Sequence, residues 1–371
     1  MKLEVAGEPI HTRCLGIALK QAAGGLVDFR ADILDLRKGG LMELAGRVTM
    51  AGIIHKMELT GAFEADSGRL ERIEWAQSHV MQEPHASSRG ESCRDPMPRL
   101  NGVLGARFGS DFAAALKGCF GGPLGCTHVN TLLQEVDAFV SLHLARRRDD
   151  RAYAKPRDTG ERIGARSLSF DAFFREGGAT TDLGVRLADL HYAPCGANGR
   201  EVVSLHAEVR LLAEADLAGW QLRALAAKER ERRGPTCGDA AWTPRTTDLE
   251  DFVGRSLYGG MNRFCLERFG GRKADARLLS ALMSLAPGMT QVGAAVSDRL
   301  TPSTSARPLA SGLSGPGPCF MLRADGPLME SIRMRTPEPE GAASPSAIAS
   351  PSASPSASPS PSPSPSASKR S

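Results

Sequence analysis

The sequence predicts an α+β fold of two related units, each an antiparallel meander of three to four strands followed by helices, with a disordered C-terminal tail. Three observations carry that expectation. Two segments about 150 residues apart alternate apolar and polar residues in the same way. Each is followed first by further alternating segments and then by sequence of helical period, an order that suits an α+β layer rather than a doubly wound sheet. From about Gly341 onward the chain is almost entirely Ser, Pro and Ala, which bury too little apolar surface to offset chain entropy. The expected domains are a ligand-bearing N-terminal domain at 1–155, a degenerate second copy at 156–335 and the tail at 336–371.

The elements follow in order. Phe29, Ala31 and Ile33 point one way in a strand over Val27 to Leu36, and Leu183, Val185 and Leu187 do so over Thr181 to Leu190. Asp35 and Asp189 come just after the last inward residues and read as strand-end or turn carboxylates. A second strand, Ile53 to Leu59, is answered by Val203 to Leu211. Turns at Asp66 and Gly68, and at Asp216 and Gly219, come next, with a further strand near Leu70 to Ala76. Each half then carries Cys-x-Asp (Cys93 to Asp95, Cys237 to Asp239), a Phe-Gly-Gly (Phe120 to Gly122, Phe269 to Gly271) and a last helix. In the first half that helix carries Val129, Leu132, Leu133, Val136 and Val140 on one face. In the second, Leu278, Leu279, Leu282 and Leu285 do the same before Pro287-Gly288 stops it.

Composition narrows the function. The 46 Lys and Arg against 42 Asp and Glu leave a formal charge of +4, too small over 371 residues for a nucleic-acid or polybasic membrane surface. No run of eighteen apolar residues predicts a spanning helix. Glu4 interrupts the start where a signal peptide needs its apolar run, so the expected location is cytoplasmic. Eight widely spaced cysteines then read as reduced thiols rather than a disulfide scaffold.

Soft ligands concentrate in the first half: His11, His55, Cys93, Cys126 and His128. Their counterparts in the second are approximately Leu205 or His206, Cys237, Asp275 and Arg277. Cys126 and His128 follow Gly121-Gly122-Pro123-Leu124-Gly125 at a helix start, where free N–H groups favour a thiolate and non-helical backbone lets both side chains converge. His55 shares a strand face with Ile53, Met57 and Leu59, and Cys93 lies in the loop after the last strand. His55, Cys93, Cys126 and His128 together suit zinc or an iron–sulfur cluster. The bland alternative is a packed core histidine beside small buried thiols. Two other functions stay open: a non-metal accessory protein whose paired domains bind an unknown protein partner, and a thiol-dependent enzyme using Cys126 with His128 as base. Neither a phosphate loop nor a Gly-x-Ser-x-Gly elbow occurs.

Several of these stretches carry a resemblance. Glu8 to Arg13, Ile54 to Met57, the loop at Cys93, Leu100-Asn101-Gly102 and Gly121 to His128 together resemble an uncharacterised bacterial family, domain of unknown function 2889, over about residues 8–145. That resemblance implies no established activity. A more distant likeness is to NifU-type iron–sulfur scaffold proteins. It implies a first ligand near His55-Lys56-Met57, a central one at Cys93 and a last pair at Cys126 to His128.

Overall fold

Period-two alternation builds the sheet. The computed structural model describes residues 5–175, 180–195, 199–234, 240–296 and 317–335; the tail at 336–371 and Cys237 lie outside them. The described strands are β1 (Glu8–Gln21), β2 (Leu26–Leu44), β3 (Arg47–Glu64), β4 (Leu70–His79), β5 (Arg162–Phe174), β6 (Thr180–Ala193), β7 (Val202–Asp216), β8 (Leu222–Arg233) and β9 (Thr243–Pro244). They lie in one antiparallel sheet of order β4-β3-β2-β1-β5-β6-β7-β8-β9. Two meanders thus meet at the β1–β5 pairing, where Arg13 faces Phe170 and Ile17 faces Arg166. Helices α1 (Phe112–Phe120) and α2 (Thr127–Asp149) follow the first meander. The second is followed by α3 (Met261–Phe269), α4 (Ala276–Met283) and α5 (Leu285–Ala295), and α6 (Pro327–Arg335) comes last. The α+β class is as expected.

The expected inward residues are buried, Phe29, Ala31 and Ile33 in β2 and Leu183, Val185 and Leu187 in β6. The expectation left out the two central strands. In β1 the buried residues include His11 and Arg13 besides Leu15, Ile17 and Leu19, and in β5 Arg166 is 2% exposed. Charged side chains on the inward face disguise the alternation. β3 departs from simple alternation too. A bulge between the Asp35–His55 and Leu36–Ile53 pairs turns both Ile54 and His55 inward and leaves Ile53 44% exposed.

α2 buries the whole predicted stripe from Val129 to Val140. The predicted stop at Pro287-Gly288 does not hold. The chain resumes as α5 at Leu285, so Pro287 falls in a first turn that needs no intrahelical N–H. Gly288 presses on Phe170, whose ring would lie 2.5 Å from an added Cβ. The stretch Lys273–Ala295 is long and apolar enough to cross a membrane by length and composition, but 72% of its apolar window is buried inside the protein.

Where α2 meets the second meander, Tyr153 sits between two histidines. Its hydroxyl is 2.9 Å from His143 Nδ1 and 3.1 Å from His191 Nδ1. Burial drives both imidazoles down to about 3 and the phenol up to about 12. All three are neutral at physiological pH.

Candidate metal centre

The site forms at the middle of β1, β2 and β3, under the start of α2. Asp35 stands directly opposite Arg13 on β1 and His55 on β3. It continues the inward phase of Phe29, Ala31 and Ile33, so it is fully buried rather than a strand-end carboxylate. Arg13 grips it with Nε at 2.8 Å from Oδ1 and Nη2 at 3.2 Å from Oδ2. His11 Nε2 lies 3.2 Å from Oδ1.

The helix start brings in the rest. Gly125 lies so close to Phe120 that a Cβ would sit 2.2 Å from its carbonyl oxygen, and this tight turn delivers Cys126 as the residue preceding α2. His128 then reaches down, its Nε2 2.9 Å from Asp35 Oδ2. Its ring lies 3.8 Å from that of His55, centroid to centroid, and His55 Nδ1 is 3.8 Å from the same Oδ2. Asp35, His55 and His128 each offer a ligand atom within 4.8 Å of the other two. Such a buried group can hold a metal ion.

The electrostatics fit. Burial alone would raise the Asp35 carboxyl, but Arg13 and His128 outweigh it and hold it well below the usual carboxylate range. Burial, then the neighbouring His128, keep His55 well below an ordinary histidine. One ligand is therefore ionised and one neutral, as a metal needs. His55 Nδ1 is also buried without a hydrogen-bond partner, an open lone pair or proton with nothing to satisfy it.

Of the four ligands expected from sequence, His55 and His128 converge. Cys126 Sγ lies 3.8 Å from His128 Nδ1, and Cys93 lines the same cavity, but neither thiol joins the 4.8 Å group. Among the described residues no cysteine cluster suits iron–sulfur, so that part of the cofactor expectation is corrected. The activated thiolate is corrected as well. Burial pushes Cys126 up to about 12 and outweighs the N–H groups of Val129 and His128. Asp35 is the residue missed, though Phe29, Ala31 and Ile33 already set the phase that turns it inward.

A cavity of about 120 Å³ opens beside the group, its walls mostly apolar, with Met42, Leu44, Met81, Met321, Leu322 and Leu328 among them. Arg13 and His55 reach it from the sheet, and His128 from the start of α2. Arg13 Nη1 is buried with no hydrogen-bond partner.

A second buried aspartate sits across the β1–β5 seam. Asp189 stands directly opposite Arg166 on β5, which binds it through Nε at 2.7 Å and Nη2 at 2.9 Å. Arg277, the second residue of α4 as His128 is of α2, adds Nε at 2.9 Å. Ala207 faces Asp189 where His55 faces Asp35. Arg166 Nη1 is filled by Glu135 at 2.9 Å and Ser280 at 3.2 Å.

Residues 11–140 match the model of a family described as a protein of unknown function (DUF2889), a span holding every residue of the metal-competent group. No curated protein matches the chain, and no solved structure matches it. The likeness to NifU-type scaffolds is without support.

Proposed function

We propose that this is a metal-binding protein holding one zinc ion through Asp35, His55 and His128. The carrying observation is the three buried ligand atoms within 4.8 Å of one another, with His55 Nδ1 left unsatisfied. Tetrahedral zinc with bonds of about 2.0–2.1 Å sets its ligand atoms roughly 3.3 Å apart, so the present spacings of 2.9 and 3.8 Å from Asp35 Oδ2 need only small shifts. With three protein ligands, two of which (His55 and His128) line a cavity, a fourth position would be left open, the arrangement of a reactive rather than a purely structural site. A bound ion there supplies Lewis acidity toward an oxygen-bearing ligand. Arg13 and His11 hold Asp35 Oδ1, Arg13 Nη2 also reaches Oδ2, and together they orient the carboxylate.

The second half supports the same reading. We read it as a diverged copy in which Arg277 takes the place of His128 and supplies, as a fixed guanidinium, the positive charge that a metal gives the first. The free thiols of Cys93, Cys126 and Cys319 accord with a reducing, cytoplasmic setting.

Zinc titration of the full chain against a chromogenic chelator tests the reading. One tight site is expected, lost in His55→Ala and in His128→Ala. No competition with the chelator, or undiminished affinity in both variants, contradicts it.

One observation favours a second reading. Cys126 Sγ, His128 and Asp35 stand in line, 3.8 Å and 2.9 Å apart, as in a thiol nucleophile with base and orienter. Preferential alkylation of Cys126 in metal-free protein at pH 7 would support it; the burial of the thiol predicts instead that Cys14, which is exposed, reacts first.

A further inference from the structure

From the comparison of the two buried arginines we infer that the cavity beside the metal centre takes a compact apolar carboxylate, its carboxylate seated on Arg13 Nη1 and its hydrocarbon body among the methionines. The inference rests on the proposed metal reading and adds the class of ligand.

Arg166 shows what such an arginine requires. Two of its nitrogens hold Asp189, and the third, Nη1, is met by the Glu135 carboxylate and Ser280. Arg13 holds Asp35 through the same two nitrogens, yet its Nη1 is buried with no partner. Leaving such a donor unmade costs roughly 1–3 kcal/mol, more when the group is charged. Where the second site has a protein carboxylate, Nη1 of the first has no partner, and Arg13 lines a cavity.

Charge points the same way. Arg13 already balances Asp35, so a divalent ion on this group leaves a buried excess of positive charge. A carboxylate that reaches Arg13 and the ion's open position halves that excess. A neutral alcohol or amide does not.

Size and lining define the rest of the molecule. At about 120 Å³ the cavity approaches the ~150 Å³ apolar cavity that accommodates benzene. Met42, Met81 and Met321 give walls that adapt to shape. The part of the body inside the cavity is therefore no larger than a six-membered ring or a short branched chain.

The test uses the full chain labelled with ¹³C at its methionine methyls, first titrated with zinc and then, zinc-loaded, with benzoate. Benzoate is expected to shift the methyl signals of Met42, Met81 and Met321 and to leave Met261, which does not line the cavity, in place. Benzyl alcohol and acetate, each lacking one half of the recognition, should bind at least tenfold more weakly. Arg13→Lys keeps a cation beside Asp35 but loses the fork, and should weaken benzoate about tenfold more than it weakens zinc. Met81→Trp fills the cavity from its rim and should abolish benzoate binding with zinc retained. Zinc binding with no methyl shift on benzoate, or equal affinity for benzyl alcohol, overturns this inference alone. Failure of zinc to bind overturns it together with the metal reading.

Discussion

Two buried aspartates lie on either side of the β1–β5 seam, each directly across from an arginine on the next strand. Around Asp189 the protein supplies every partner itself. Arg166 and Arg277 bind it, Glu135 and Ser280 complete Arg166, and Asp189 is held down at about 2 despite burial. Around Asp35 the same plan is left unfinished. His128 stands where Arg277 would be, His55 replaces Ala207, and His55 Nδ1 and Arg13 Nη1 have no partner. A closed ion network holds a fold together, whereas one with buried, unmet donors and ligands is poised to take something in.

The largest effect should come from breaking the closed site. Asp189→Ala removes the anion shared by the Arg166 and Arg277 guanidinium groups, leaving Glu135 to the buried Arg166 and Glu231 to Arg277. It should cost about 3–5 kcal/mol in urea unfolding, or prevent folding. A loss under 1 kcal/mol would show that the network is solvated.

Next comes conversion of the open site to the closed plan. His128→Arg should fold, because Arg277 shows that an arginine fits at this place on the helix. Zinc at a hundredfold excess over its Kd should stabilise the parent chain by about 2.7 kcal/mol and this variant not at all, read from unfolding midpoints. Equal stabilisation of both would break the comparison.

The joint between the halves gives a pH test. His143 and His191 have folded values of about 3, below the ordinary 6.5, so the unfolded chain takes up protons first as pH falls. Stability from these groups is complete above about pH 6.5 and declines toward pH 3. Between pH 6 and 5 the loss should be roughly 2–3 kcal/mol for the two histidines together. A flat profile over that interval would mean that water reaches them.

The smallest effect is at the rim of the closed site. Ser280→Ala removes one of the two acceptors on Arg166 Nη1 and should cost about 1 kcal/mol, measured in the same urea assay. No change would show that Glu135 alone suffices.

How much of this was legible depends on what faces the core. β2 and β6 were readable because Phe29, Ala31, Ile33 and Leu183, Val185, Leu187 alternate cleanly with polar residues. β1 and β5 were not, since His11, Arg13 and Arg166 occupy inward positions that hydropathy assigns to solvent. That buried charge marks the two sites, so the same residues hid the strands and carried the chemistry. Alternation turns His55 inward together with Ile53, whereas the bulge beside it sets its direction and leaves Ile53 outside. His128 and Cys126 were legible from the Gly-rich turn. Asp35 reads from the sequence as a strand-end carboxylate, because what sits opposite it belongs to strand pairing, and one chain's periodicity does not show that.

X-ray absorption at the zinc edge of the zinc-loaded full chain tests the central claim most directly. A centre built from Asp35, His55 and His128 predicts one zinc per chain with only nitrogen and oxygen neighbours at about 2.0–2.1 Å, including two imidazoles. A sulfur neighbour at about 2.3 Å would place Cys93 or Cys126 on the ion, and a chain that retains no zinc would leave the site without its metal. Either result contradicts the account.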